Sequence, residues 1–250
     1  MGKIVALGGG VFMGKKEDRF PPKMKPIHEE IIRLTGKRRP RILYIPTAAD
    51  DSVKRIKGFR KYYTGLGCEV DVLCLLKRKG RPSQMEIKSK IESADAVFVT
   101  GGNTHRTIAT WKRHGVDRLL KQAYRQGKVM SGYSAGAICW FAYGNSDSFS
   151  KERIFRVTAM GIINALICPH YDSEPHRQPV LKKMMRRTYG MVAIALDEYA
   201  VIEIIDGKYR ILTAQPSAQA RRIYWKMDEY VIQAIKPDTK FRDLKGLLTL

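Results

Sequence analysis

One serine of the sequence lies in a G-x-S-x-G turn, Gly132-Tyr133-Ser134-Ala135-Gly136, between two short apolar runs. In α/β enzymes this pattern places the serine on a sharp turn from a strand into a helix, because the flanking glycines allow the tight bend. The hydroxyl is then exposed at the helix N-terminus, where it can attack a carbonyl carbon. The same pattern also occurs at ordinary helix starts, so neighbouring motifs must decide whether Ser134 is a nucleophile.

A second motif, Gly101-Gly102-Asn103-Thr104, follows the apolar run from Asp95 to Thr100. This pattern predicts a buried parallel strand and then a loop whose backbone amides lack partners. Hydrolysis by a serine needs two donors aimed at the developing oxyanion, and one is usually the amide of the residue after the nucleophile. We therefore predict an oxyanion hole formed by the Ala135 amide and the amide of Gly102 or Asn103. A glycine turn that only ends a strand is the competing interpretation.

A general base must come from one of five histidines, which are His28, His105, His114, His170 and His176. Charged neighbours predict solvated surface positions for His28 and His114, whereas His105 follows the glycine-rich loop and could line a pocket. His170 comes after the apolar run Ile162 to Cys168, and active sites of parallel sheets lie at the carboxyl ends of their strands. We predict His170 as the general base.

Three carboxylates compete to orient the imidazole of His170 and to stabilise its protonated form. Asp172 lies two residues beyond His170, Asp147 lies in a predicted loop from 144 to 148, and Glu198 follows the apolar run Met191 to Leu196. Asp197 and Glu198 interrupt hydrophobic sequence on both sides, which is typical of a functional strand end but also of a solvated bend. The residue pattern alone favours Glu198 over Asp172 only slightly.

Five motifs follow one another along the chain: Ile4-Val5-Ala6-Leu7-Gly8-Gly9-Gly10, Gly101-Gly102-Asn103-Thr104, Gly132-Tyr133-Ser134-Ala135-Gly136-Ala137, Cys168-Pro169-His170-Tyr171-Asp172 and Leu196-Asp197-Glu198. Their combination resembles peptidase E, the aspartyl dipeptidase family of serine peptidases that also contains the cyanophycinases. The resemblance runs from the first strand to about residue 205. It implies a Ser-His-Glu triad in which Ser134 is the nucleophile, His170 the base and Glu198 the acid.

The resemblance also implies a substrate, a dipeptide with an N-terminal aspartate, or alternatively a β-aspartyl or cyanophycin-type peptide. Such a substrate needs a cation for its side chain, and we predict Arg177, at the start of a helix from 177 to 187, because its fork can bind a carboxylate bidentately. Asp172 or Glu174 would bind the free amine. Class I glutamine amidotransferases carry cysteine where Ser134 stands, so amide transfer is not expected. A non-catalytic amidotransferase-like binding domain remains an alternative.

The resemblance implies a flavodoxin-like, doubly wound, mainly parallel α/β sheet related to class I glutamine amidotransferase domains. Apolar runs that alternate with helical stretches predict its strands near residues 3–7, 41–45, 69–76, 95–100, 128–131, 162–168 and 191–196. A hairpin at Asp206-Gly207 and two further short strands, 221–225 and 230–234, predict a C-terminal antiparallel extension. The chain is long enough for a sizeable core, and no linker divides it. We predict one domain, 1–250, with a core to about 205 and the extension from 199 to 250.

The composition includes a net charge of +22, from 46 basic and 24 acidic residues. The basic clusters are scattered at Lys15-Lys16, Lys37-Arg38-Arg39, Lys77-Arg78-Lys79, Lys182-Lys183, Arg186-Arg187 and Arg221-Arg222. We therefore expect no specific nucleic-acid partner, although a basic nucleic-acid-associated protein is a third alternative.

The four cysteines form no C-x-x-C pair, which predicts reduced thiols and no structural zinc. Neither a signal peptide nor an apolar run of membrane-spanning length is recognisable, which predicts a cytoplasmic protein without membrane contact. We expect a small peptide as the substrate and no cofactor or metal. The oligomeric state stays open, with a homodimer as one alternative.

Overall fold

A computed structural model of the chain describes residues 2–11, 19–76, 80–150, 153–188 and 190–250. The first nine strands are β1 (Lys3–Leu7), β2 (Arg41–Ile45), β3 (Glu69–Val72), β4 (Ala96–Val99), β5 (Val129–Tyr133), β6 (Phe141–Ser150), β7 (Arg153–Thr158), β8 (Ile163–Cys168) and β9 (Ala193–Leu196). The last five are β10 (Ala200–Ile205), β11 (Lys208–Thr213), β12 (Ala220–Lys226), β13 (Glu229–Ile235) and β14 (Arg242–Asp243). The α-helices are α1 (Lys25–Leu34), α2 (Val53–Gly65), α3 (Gln84–Ser93), α4 (Thr104–His114), α5 (Val116–Arg125), α6 (Ala135–Ile138), α7 (Arg177–Arg186) and α8 (Leu244–Leu248).

The strands form two mixed sheets. The first has eight strands in the order β14-β11-β10-β1-β5-β4-β2-β3, with parallel pairing from β1 to β3 and antiparallel pairing from β1 to β14. The antiparallel C-terminal strands are therefore present as predicted. Helices α1 and α2 pack on one face of the parallel half, and α3, α4 and α5 pack on the other. This layering buries the parallel strands on both faces, which explains their continuous apolar sequences.

The second sheet has six strands in the order β13-β12-β9-β8-β6-β7. Successive residues of β8 point to opposite faces, so Ala165 and Ile167 join the core around α3 to α5, while Leu166 and Cys168 pack with α7. The core of the first sheet thus continues beneath the second. This shared core brings the ends of β8 and β9 next to those of β1, β4 and β5.

The prediction of a single doubly wound sheet is wrong in one respect, because β8 and β9 belong to the second sheet. Helix α6 has only four residues, and the chain leaves it directly into β6, which pairs in parallel with β8. The segment 144–148, predicted as a loop, is part of β6. Its polar residues are typical of loops, but here Asn145 and Ser146 are buried and bonded: the Asn145 amide donates to the Arg177 carbonyl at 3.3 Å, and Ser146 shares hydrogen bonds with Ser148 and Thr104.

His28 is also not the surface residue that was predicted. It is fully buried among aromatic rings, and its Nδ1 lies 2.7 Å from the hydroxyl of Tyr63. Burial lowers the pKa of His28 to about 3. The neighbouring Glu29 and Glu30 suggested a solvated helix start, whereas α1 turns its His28 face towards α2.

Within the described ranges, no helix is both long and apolar enough to cross a membrane. Two of the basic clusters, Lys15-Lys16 and Lys77-Arg78-Lys79, lie outside the described residues.

The buried His28 predicts a loss of stability in acid. The unfolded chain takes up a proton at His28 near pH 6.5, whereas the folded protein does so only near pH 3, so the stability contributed above pH 6.5 is lost as the pH falls through this window. Each pH unit in the window lowers the free energy of unfolding by about 1.4 kcal/mol. Urea unfolding at pH 7, 6, 5 and 4 should show a shallower pH dependence for His28→Gln than for wild type. Equal slopes would contradict the assignment of this effect to His28.

Candidate active site

Ser134 occupies the turn between β5 and α6 with φ 52° and ψ −117°, a strained conformation for a residue with a side chain. Its amide donates to the Leu7 carbonyl at 3.1 Å. The neighbouring glycines are required because the turn packs on β4. A Cβ on Gly136 would lie 2.1 Å from the carbonyl oxygen of Val99, and one on Gly132 would lie 2.7 Å from the same oxygen. The turn is therefore held in the tight strand-to-helix geometry in which α/β hydrolases carry their nucleophilic serine.

His170 and Glu198 form a direct pair. His170 follows β8 with φ 55°, and its amide donates to the Gly8 carbonyl at 3.3 Å. Its Nδ1 lies 2.5 Å from Oε1 of Glu198, which follows β9. A carboxylate on Nδ1 fixes the tautomer and leaves Nε2 as the ring nitrogen that can accept a proton.

Glu198 is adapted to stay ionised although it is largely buried. Burial raises the pKa of the Glu198 carboxyl and is the largest single influence, but the hydrogen bond and charge of His170, together with further hydrogen bonds, bring it below its ordinary value. The Ser173 hydroxyl, which donates to Oε1 at 3.1 Å, and the Gly10 amide lower this pKa further. Glu198 is therefore a stable anion opposite the imidazole.

The other two predicted acids lie elsewhere. Asp172 accepts the backbone amide of Glu198 at 2.8 Å, so it fixes the loop that carries the acid and does not contact the imidazole in this pairing. Asp147 is exposed on β6 and lines a separate cavity. The geometry thus assigns the carboxylate next to His170 to Glu198.

A cavity of about 460 Å³ brings the predicted residues together. Its lining includes Ser134, His170, Glu198 and Gly102, together with Arg55 of α2. A second cavity of about 410 Å³ is also lined by Arg55 and Gly102, so the two cavities adjoin at these residues.

The backbone hydrogen bonds exclude one of the three amides predicted for the oxyanion hole. The Asn103 amide donates to the Ala48 carbonyl at 2.8 Å and is therefore engaged elsewhere, while the Asn103 side chain caps α4. Gly102 has φ 138°, and a Cβ there would lie 2.1 Å from the carbonyl oxygen of Ala48. The Ala135 amide is in the first turn of α6, where no intrahelical acceptor exists. Gly102 and Ala135 are the two candidates that remain.

Arg177 and Glu174 are not among the residues that line the cavity of Ser134. Arg177 is only 3% exposed, and its guanidinium donates to Oε2 of Glu174 at 2.8 Å and to the Asn145 carbonyl at 2.7 Å. These contacts tie α7 to β6. Among the described residues, the cavity of Ser134 is instead lined by the guanidinium of Arg55, whose Nη1 lies 2.9 Å from the Gly101 carbonyl oxygen. Arg55 lies in the first turn of α2 among other basic residues, and no pattern in the sequence distinguishes it from them.

The glycine run after β1 is the other feature whose role the sequence analysis did not identify. A Cβ on Gly9 would lie 2.5 Å from Oε2 of Glu198 and 2.6 Å from Nδ1 of His170. A Cβ on Gly8 would lie 2.2 Å from the Asp197 carbonyl oxygen. The absence of side chains therefore lets the ends of β8 and β9 approach β1. Three consecutive glycines at a strand end are the signal that could have indicated such a close approach.

The two acids should respond differently to neutralisation. Glu198→Gln removes the charge that stabilises the imidazolium and should lower kcat by about 10³- to 10⁴-fold. Asp172→Asn keeps an oxygen that can accept a hydrogen bond from the Glu198 amide, but that acceptor is then neutral and the bond is weaker. Its kcat should therefore fall less than tenfold. Steady-state kinetics on any peptide that the wild type cleaves would measure both. The reverse ranking would transfer the role of the acid to Asp172.

Gly9 offers a test of the close approach. Gly9→Ala should displace the His170–Glu198 pair and lower kcat. Circular dichroism should show that the variant is still folded. The matched control is Gly65→Ala in α2, where nothing lies within 4 Å of the added Cβ and the backbone is helical. Wild-type kcat in Gly9→Ala would show that the pair tolerates the added methyl group and would contradict this account.

Comparison with known proteins places this geometry in a family. The model of Peptidase family S51 matches residues 4–212. The chain is 31% identical over 242 residues to the uncharacterized peptidase YgaJ of Bacillus subtilis (strain 168), covering 96% of this chain and 99% of that protein.

Two solved structures share the fold. A peptidase from an acI-B1 Actinobacterium superposes with a TM-score of 0.71 at 18% identity, over 97% of each chain. A Listeria monocytogenes EGD-e protein provisionally described as peptidase E superposes with a TM-score of 0.63 at 20% identity, over 85% of this chain and 98% of that one. At these identities the superpositions establish the fold alone. The family match over most of the chain shows that this protein belongs to the S51 serine peptidases, the family of peptidase E and the cyanophycinases.

Proposed function

We propose that this protein is a serine peptidase that releases an N-terminal aspartate from small peptides, dipeptides first, through an acyl-enzyme on Ser134. The observation that carries the proposal is the 2.5 Å contact between Nδ1 of His170 and Glu198, in a cavity that Ser134 also lines. Such a pair has its remaining ring nitrogen ready to take a serine proton.

The reaction would proceed in two steps. His170 takes the Ser134 proton through Nε2 as the hydroxyl oxygen attacks the peptide carbonyl carbon, and the amides of Gly102 and Ala135 stabilise the oxyanion. His170 then returns the proton to the departing amine. In the second step a water molecule attacks the acyl carbon while His170 accepts a proton from it. The bond to Ser134 Oγ then breaks, His170 returns the proton to that oxygen, and the free acid is released.

The substrate part of the proposal differs from the prediction that used Arg177. Arg55 lines the cavity of Ser134 and supplies a fixed positive charge there, so we assign it to the aspartate side chain. A guanidinium can bind a carboxylate through two parallel hydrogen bonds. The resemblance to peptidase E supports the aspartate, and β-aspartyl or cyanophycin-type linkages are the alternatives that the experiment separates.

The proposal places the reaction in the cytoplasm. Cys68, Cys139 and Cys168 are buried thiols that form no disulfide, which supports a reducing compartment.

The experiment is hydrolysis of α-aspartyl and β-aspartyl dipeptides and of an aspartyl anilide, with leucyl and glutamyl peptides as controls. Ser134→Ala should abolish turnover and keep the fold, because it removes the nucleophile. Arg55→Ala should raise KM for aspartyl substrates more than for leucyl ones, and Arg55→Lys should recover only part of the loss.

The results decide between the candidate functions. Cleavage of only the β-aspartyl peptides would replace the α-aspartyl assignment by the β-linked class. Turnover that persists in Ser134→Ala would exclude the serine mechanism. A folded wild type that cleaves none of the substrates would favour the non-catalytic binding domain.

A further inference from the structure

The surface around Phe149 is not used by the proposed reaction. Phe149 on β6 is 54% exposed and Phe155 on β7 is 37% exposed, and their rings meet edge to face at 5.6 Å. The ring of His105, at the start of α4, lies 4.4 Å from that of Phe149. Adjacent exposed aromatic side chains commonly mark a binding surface. We call this surface, with the two cavities beside it, the Phe149 face.

Two cavities flank β7 on this face. One, of 440 Å³, lies between β7 and α7 and has an apolar lining that includes Ile154, Val180 and Met184. The other, of 350 Å³, lies between β7 and α4 and includes Ile108 and Ala109. Phe149 and Arg156 line both. Each cavity is large enough for an apolar side chain.

The charge of the face selects an acidic ligand. Four cations line the two cavities, which are Lys112, Arg156, Lys183 and Arg187, and no carboxylate lines either one among the described residues. The whole chain carries a net charge of +22. A second copy that placed the same face against itself would bring these cations together, so charge disfavours that occupant.

The backbone of β7 adds a second, independent observation. β7 is the last strand of its sheet and pairs with β6 on one side only, so its other edge has no strand partner among the described residues. An extended peptide can pair with such an edge through main-chain hydrogen bonds. Successive side chains of that peptide would point to opposite faces of the sheet, one set into each cavity. The free strand edge favours a peptide over a nucleic acid, because main-chain pairing of this kind needs the amides and carbonyls of a polypeptide.

The Phe149 face is continuous with the active site. Gly102 lines the catalytic cavity. Two residues further on, the Thr104 amide donates to Oγ of Ser148 at 2.8 Å, and Ser148 is the residue that precedes Phe149. Chain geometry limits the path from Gly102 to Phe149 to about 16 Å, which an extended peptide of about five residues spans. The second cavity, lined by Gly102 and Ser148, lies along this path.

We propose that the Phe149 face binds the leaving end of the substrate, so that the enzyme accepts acidic peptides much longer than a dipeptide. The N-terminal residue lies in the catalytic cavity, the next residues cross the glycine-rich loop, and an acidic segment with apolar side chains pairs with the edge of β7. This inference rests on the proposed peptidase function and adds the class of its substrate.

The test compares an aspartyl dipeptide with a decapeptide that has an N-terminal aspartate, a neutral spacer and an alternating segment of glutamate and phenylalanine. The wild type should cleave the first bond of the decapeptide with a lower KM. The double variant Phe149→Ser/Phe155→Ser and the variant Arg156→Glu should each raise this KM about tenfold and leave dipeptide kinetics unchanged, as expected for loss of an interface anchor. Met227→Ser and Lys226→Glu, exposed on the distant β12–β13 turn, are the matched controls.

The outcomes separate this proposal from the peptidase function. Equal effects of the variants on dipeptide and decapeptide, or none on either, would overturn it while leaving the peptidase function intact. If neither peptide is cleaved, fluorescence anisotropy with the labelled decapeptide replaces kinetics: binding that Arg156→Glu abolishes supports the face, and no binding overturns it. Concentration-dependent dimerisation that Phe149→Ser abolishes, or tighter binding of a single-stranded RNA than of the peptide, would also overturn it.

Discussion

The carbonyl of Leu7 accepts the Ser134 amide, and the next carbonyl, of Gly8, accepts the His170 amide. Gly9 then lies against the His170–Glu198 pair, and the Gly10 amide lowers the pKa of Glu198 by a hydrogen bond. One short segment, from Leu7 at the end of β1 to Gly10, thus contacts Ser134, His170 and Glu198. Because these three residues come from different strand ends, the contacts of this segment hold the strand ends together, while the His170–Glu198 contact joins two of the side chains directly.

The two-sheet architecture makes this arrangement necessary. Ser134 follows a strand of the first sheet, His170 follows a strand of the second, and Glu198 lies between β9 of the second and β10 of the first. The sheets share a core under β8, so their strand ends converge at one edge. A Cβ at Gly8 or Gly9 would overlap with Asp197, Glu198 or His170, so the strand ends approach this closely only because both residues are glycine.

Local sequence predicted the parts that depend on local geometry. Short patterns of glycines and apolar runs predicted the Ser134 turn and the C-terminal hairpin. They also predicted the strand ends that precede His170 and Glu198. Contacts between residues far apart in the sequence could not be predicted in this way. The polar side chains of β6 form hydrogen bonds with α4 and α7, and Arg177 is buried because Asn145 accepts hydrogen bonds from its guanidinium. His28 likewise has charged neighbours in sequence but aromatic ones in space.

The central claim is that Ser134 is a nucleophile activated by His170 and Glu198. The most direct measurement is reaction of the folded protein with a serine-directed phosphonate, followed by peptide mass spectrometry to locate the adduct. The account predicts one adduct, on Ser134, that forms much more slowly in Glu198→Gln. An unmodified Ser134 in a protein that still cleaves peptides, or an equal rate in Glu198→Gln, would contradict it.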